Sequence, residues 1–173
     1  MRCDVGVMIS ASHNEYVDNG IKIFCPDGTK LSDGQEIELE KLIDNSKLPL
    51  VKSENMGRAQ RIDDAGGRYI EYLKSRMSSS LRLDGLKIVI DCANGAAYKV
   101  GPTILWELGA EVISLNVTPD GTNVNKNSGS TNPKNLISTV KRTKADLGIA
   151  LDGDADRCVL VDDKGRIVNG DLI

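Results

Sequence analysis

The apolar run Leu147-Gly148-Ile149-Ala150-Leu151 ends directly on Asp152-Gly153-Asp154-Ala155-Asp156-Arg157. The first segment has the length of a buried strand, and the second sets three carboxylates at alternate positions just beyond it. Carboxylates crowded this closely repel one another, so a fold that keeps them together calls for a cation. Mg²⁺, a hard ion that takes oxygen ligands, suits them. Gly153 and Ala155 are small enough to let the backbone curl between the acids. Open α/β sheets build their sites beyond the carboxyl ends of strands, so the pattern predicts a fold class and a place for chemistry. A solvated acidic turn is the plainer reading, since Asp and Gly are ordinary turn residues. Such a turn needs one or two of them, not three acids in alternation behind an apolar run. An EF-hand calcium loop is excluded: counted from Asp152, its sixth and twelfth positions hold Arg157 and Asp163, where Gly and Glu are required.

The remaining pattern agrees with an α/β fold. Val5–Ile9 and Ile21–Phe24 read as short strands, separated by the polar loop Ser10–Asn19 and followed by the turn Pro26-Asp27-Gly28. Ser32 and Gln35 form a capping box ahead of a helix, and a second, more charged helix spans about 63–77. Beyond the junction Ser78-Ser79-Ser80, strands are expected at Leu86–Asp91, Val112–Leu115, Leu147–Leu151 and Cys158–Val161. Helices are expected at Ala97–Leu108 and Leu136–Arg142, with a long polar loop from Pro119 to Pro133. Alternating strands and helices predict mixed or parallel sheets with helices on both faces, in two domains, 1–80 and 81–173. The first domain starts abruptly in a strand-like segment and reads as the tail of a larger one.

Composition narrows the function. The net charge of -3 and the absence of basic runs interleaved with aromatics argue against nucleic acid as a partner. No apolar stretch has the length of a membrane span and no signal-peptide pattern opens the chain, so a cytoplasmic protein without a membrane partner is expected. Aromatic residues are only 3%, which leaves the core to Ile, Val, Leu and Ala. Cys3, Cys25, Cys92 and Cys158 are scattered without a C-x-x-C pair and read as reduced, small core residues.

A second constellation follows the strand Val5–Ile9: Ser10-Ala11-Ser12-His13-Asn14, with the chain's single histidine, and then Lys22. A serine at a strand exit can serve as nucleophile or phosphate carrier, and a nearby lysine as general base or phosphate partner. Alone, Ser-His-Asn equally suits a loop cap, and no separate acid completes a hydrolase triad. Five segments, however, occur together in one order: Ser10 to Asn14, Asp18-Asn19-Gly20-Ile21-Lys22, Pro26-Asp27-Gly28-Thr29-Lys30-Leu31, Gly129-Ser130-Thr131-Asn132-Pro133 and Asp152 to Arg157. In this the chain resembles the α-D-phosphohexomutases, in particular the bacterial branch that acts on glucosamine phosphates.

The resemblance implies a phosphoserine at Ser12 that is required for activity, and one Mg²⁺ held by its phosphate with Asp152, Asp154 and Asp156. It implies that Lys22 assists proton transfer, that His13 and Asn14 shape the site, and that Arg157 contacts phosphate. The expected reaction interconverts glucosamine 6-phosphate and glucosamine 1-phosphate through a bisphosphorylated sugar, for peptidoglycan precursors. The partner is then a phosphosugar, and a homodimer is a permitted assembly. Two departures bear on this: Glu15 stands where the family usually has proline, and only the end of the first and most of the second of four family domains are matched, so the chain alone is expected to be inactive. The alternatives are a phosphomannomutase or phosphoglucomutase relative, a non-catalytic metal- or phosphate-binding remnant, and an Asp-x-Asp phosphatase using Asp152. Asp156-Arg157 does not suit the last.

Overall fold

The computed structural model describes residues 3–45 and 50–172. By contacts the chain divides into two units, Met1–Ile9 with Ile21–Ile62, and Ser10–Gly20 with Asp63–Ile173. Strands β1 (Gly6–Ser10) and β2 (Gly20–Phe24) pair as a two-stranded sheet. Helix α1 (Asp33–Asp44) opens on the expected capping box, in which the Ser32 N–H donates to Gln35 Oε1 at 3.0 Å. None of its residues is fully buried.

The second unit begins, after Ser10–Gly20, with helix α2 (Ala65–Arg76) and continues through β3 (Lys87–Asp91), α3 (Val100–Glu107), β4 (Glu111–Leu115), α4 (Lys134–Thr143), β5 (Leu147–Leu151) and β6 (Cys158–Asp162). Its sheet has the order β4-β3-β5-β6. The first three strands are parallel, with Val89 opposite Ile113 and Gly148, and β6 runs antiparallel to β5. The mixed α/β sheet is the class the sequence predicts. Period-two alternation decides which helix covers which face. Val89 and Ala150 point to Leu136 and Val140 of α4, while Ile90 and Ile149 lie on the other face with Ala97 and Leu105. Helix α2 packs on α3.

One helix starts later than its periodicity suggests. Ala96–Tyr98 is a separate 3-10 turn and α3 begins at Val100, not Ala97. Pro102 is the reason: it lacks an N–H and is tolerated in a first turn but not in a helix interior. The cysteines also need correction as core residues. All four are free thiols, but only Cys92 is fully buried; Cys3 and Cys158 are exposed, the latter at the start of an edge strand. Among the described residues no helix is long and apolar enough to cross a membrane.

This topology fixes where a site can form. From β3 the chain crosses to β4 on one side, then returns past β3 to β5 on the other. The β3/β5 boundary is therefore a topological switch point, and ligands of open α/β sheets bind beyond the carboxyl ends of strands there. Asp91 ends β3 and Asp152 follows β5.

Candidate active site: a serine loop against a three-carboxylate hairpin

Leu151 pairs with Cys158, so the segment Asp152–Arg157 is the connection of the β5/β6 hairpin. Ala155 turns it with a φ of 61° and donates its N–H to Asp152 O at 3.1 Å. The Arg157 N–H donates to Asp152 Oδ1 at 3.0 Å. One carboxylate oxygen from each of Asp152, Asp154 and Asp156 lies within 4.8 Å of the others. Asp152 is fully buried, and among the described residues its Oδ2 meets no hydrogen-bond donor. Burial, and then the charges of Asp154 and Asp156, push its carboxyl above its usual range, while the Arg157 N–H pulls it down. A buried carboxylate oxygen without a partner is costly, and a cation would offset both the burial and the repulsion. The donor set is all hard oxygen, so these residues fit a Mg²⁺ ion.

The serine loop Ser10–Gly20 belongs to the same unit. Ser10 Oγ donates to Asp154 Oδ2 at 3.2 Å and accepts the Ser12 N–H at 2.8 Å. Ser12 is half-buried, with a left-handed φ of 53°, and its Oγ lies 3.4 Å from His13 Nδ1. The Asn125 amide nitrogen donates to Ser12 O at 2.8 Å and to Asn14 O at 2.7 Å. Hydrogen bonds thus join Ser12, His13 and Asn14 in one network that reaches the acid cluster at Asp154. Arg157 is exposed, with its backbone in the hairpin. Lys22 belongs to the other unit, where it lies half-buried on β2 and lines a groove of about 300 Å³ with Lys30, Glu36 and Glu40.

Two glycines allow three loops to touch backbone to backbone. A side chain at Gly95 would collide with Gly153 O, which accepts the Ala96 N–H at 2.8 Å. A Cβ on Gly153 would lie 2.7 Å from Ser12 O. Asp91, fully buried, ties the surrounding loops: Oδ1 accepts from the Ala93 N–H and Asn116 Nδ2, both at 2.9 Å, and Oδ2 from the Gly129 N–H at 3.0 Å. Sequence reasoning missed Asp91, Gly95 and Asn125. Asp91 looked like the end of a strand, and Asn125 is one of four asparagines in the loop from Pro119 to Pro133. Nothing local distinguishes it from its neighbours.

Comparison with known proteins identifies relatives along the whole chain. The family model for phosphoglucomutase/phosphomannomutase, alpha/beta/alpha domain II, matches residues 67–165, and that for domain I matches residues 1–49. The chain is 60% identical over 173 residues to a phosphoglucosamine mutase of Zymomonas mobilis, covering all of this chain and 39% of that protein. It is 59% identical over 174 residues to a phosphoglucosamine mutase of Methylocella silvestris, again covering the whole chain and 39% of that protein. A crystal structure of a phosphoglucomutase/phosphomannomutase family protein from Burkholderia thailandensis superimposes with a TM-score of 0.77 at 29% identity, covering 99% of this chain and 36% of that one. The chain thus spans about two fifths of the curated relatives it matches. With its second unit matched along most of its length and its acid hairpin and serine loop assembled at the switch point, the chain belongs to the phosphoglucomutase/phosphomannomutase family.

Proposed function

We propose that this chain is part of a phosphoglucosamine mutase, which interconverts glucosamine 6-phosphate and glucosamine 1-phosphate in the cytoplasm for peptidoglycan precursors. The observation that carries the reading is the network in which Ser10 Oγ links the Ser12 N–H to Asp154. It ties a serine at a strand exit to a carboxylate cluster suited to Mg²⁺, and the relatives named phosphoglucosamine mutase are 57–60% identical to the whole chain.

In this reading Ser12 carries the phosphoryl group. Its Oγ–P bond breaks as a new P–O bond forms to a hydroxyl of the sugar monophosphate, and Lys22 assists removal of that hydroxyl's proton. The bisphosphorylated sugar then turns over, and its other phosphate returns to Ser12. Asp152, Asp154, Asp156 and a phosphate oxygen on Ser12 would hold Mg²⁺, which would supply charge compensation at the transferred group. His13 and Asn14 shape the loop around the serine, and Arg157 contacts phosphate. Phosphoryl transfer depends on alignment and charge compensation, and the serine loop and the hairpin contribute one each. Homodimerisation is compatible with this reading. Because the chain spans 39% of its relatives' length, it is expected to show little or no turnover alone.

Intact mass and peptide mapping of protein purified from cells test the assignment. One phosphoryl group on Ser12, lost in Ser12→Ala, is the expected result. Phosphate on Asp152 would overturn it in favour of an Asp-x-Asp phosphatase. Ser12 left bare while Mg²⁺ binds, even after incubation with glucose 1,6-bisphosphate, would instead mark a non-catalytic binding module.

A further inference from the structure

Ser12 is pinned on both sides. Its N–H donates to Ser10 Oγ at 2.8 Å, and its carbonyl accepts from Asn125 Nδ2, also at 2.8 Å. Peptide groups are planar, so fixing the planes before and after Ser12 gives its Cα–Cβ bond one direction and leaves only the side-chain rotor free. The same Asn125 nitrogen donates at 2.7 Å to Asn14 O, using its second proton to close the loop around His13. Asparagines that merely stabilise their own turn bond locally. This one reaches carbonyls 113 and 111 residues away in sequence.

The surroundings of Asn125 fit such a task. It is nearly buried, stands at a φ of 57°, and donates its backbone N–H to Ala93 O, in the loop after β3, at 2.9 Å. A Cβ on Gly153 would lie 2.8 Å from Asn125 Nδ2, so the acid hairpin passes directly against the carboxamide. The side chain therefore stands where the serine loop, the acid hairpin and the loop after β3 meet.

We propose that Asn125 is a positioning residue for phosphoryl transfer, its carboxamide holding Ser12 in register with the cluster of Asp152, Asp154 and Asp156. This rests on Ser12 as the phosphoryl carrier. Its contribution is prepaid orientation: a serine already fixed needs no ordering when the group is transferred.

Asn125→Gly is the informative variant. Glycine tolerates the positive φ, so only the carboxamide is lost, whereas Ala would add backbone strain. Mn²⁺ serves as a paramagnetic probe of the acid cluster in ¹H–¹⁵N spectra of the 173-residue chain. In the unsubstituted chain Mn²⁺ should broaden the amides of residues 152–157 and those of Ser12 and His13. In Asn125→Gly the hairpin signals should stay broadened while those of Ser12 and His13 recover. Hydrogen exchange at the Ser12 and Asn14 amides should rise roughly ten-fold, as expected for losing about one net hydrogen bond's worth of local stability. Loss of general stability alone would not separate the two loops in this way. Equal broadening of Ser12 and His13 in both proteins, with unchanged exchange, would overturn the proposal. If Mn²⁺ broadens none of residues 152–157 even in the unsubstituted chain, the phosphoryl-transfer reading itself fails and takes the proposal with it. Should Asn125→Gly not fold, Asn125→Asp, which also tolerates the left-handed backbone but has no side-chain donor when ionised, is measured in the same way, and recovery of the Ser12 signal is again the supporting result.

Discussion

The two units of this chain spend their apolar residues differently. In the second, Val89, Leu136, Val140, Ala150 and Val161 are completely buried between sheet and helix. Among the described residues, every hydrophobic side chain in the buried core belongs to this unit. In the first, Val7, Ile9 and Ile21 of the two-stranded sheet and Ile37, Leu42 and Ile43 of α1 are exposed. A two-stranded sheet has little with which to build a core. The serine loop, although it follows β1 in sequence, is held by contacts of the second unit, the one with a packed interior. The difference teaches that the candidate site is anchored where the packing is, since a site holds its geometry only if the shell beneath it is rigid.

The largest test of that contrast is mutational. Leu136→Ala should lower unfolding free energy by about 3 kcal/mol, the usual range for a leucine deleted from a closed core. Ile43→Ala should cost less than about 0.5 kcal/mol, as surface changes do. Urea denaturation of both variants checks this, and comparable losses would break the comparison.

Asp152 sharpens it, because the better-packed unit also buries a group that works against its own stability. Asp152→Asn keeps the oxygen that accepts the Arg157 N–H and removes a charge that burial disfavours. Calorimetry should show Mg²⁺ affinity down at least about ten-fold, or about 1.4 kcal/mol. The melting temperature without metal should hold or rise. A large fall in metal-free stability would show that the carboxylate has a structural partner instead.

The smallest effect concerns thiols. Burial, aided by the neighbouring Asp91 carboxylate, pushes the Cys92 thiol up to about 12, whereas Cys3 of the first unit is exposed. In the unfolded chain Cys92 would ionise near 9.0, its reference value. Its contribution to folding is therefore fully present below pH 9 and lost as pH rises toward 12. Iodoacetamide at pH 8 should modify Cys3 and spare Cys92, as peptide mapping would show.

Much of this could be read from the sequence, for particular reasons. The β5 strand and its acids were legible because an apolar run and three alternating carboxylates are both local patterns. The capping box of α1 was legible because its two partners are three residues apart. The start of α3 was misplaced because apolar periodicity carries no record of the N–H that Pro102 lacks. Asp91 and Asn125 escaped because their roles lie in partners far along the chain. A carboxylate that caps three loop donors has the same local signature as one that ends a strand.

The acid cluster occupies the closed end of a hairpin, and this has a consequence for how the chain can vary. The ladder from Leu147↔Asp162 to Leu151↔Cys158 fixes both ends of the loop. Side chains alternate along a strand, so adding or removing one residue between Asp152 and Arg157 would face a choice. Either the loop distorts, or β6 slips by one position and turns Val161 out of the core. The site should therefore accept changes of kind in its loop far more readily than changes of length. Within this fold, the count of residues between Leu151 and Cys158 is as much a part of the site as the three acids themselves.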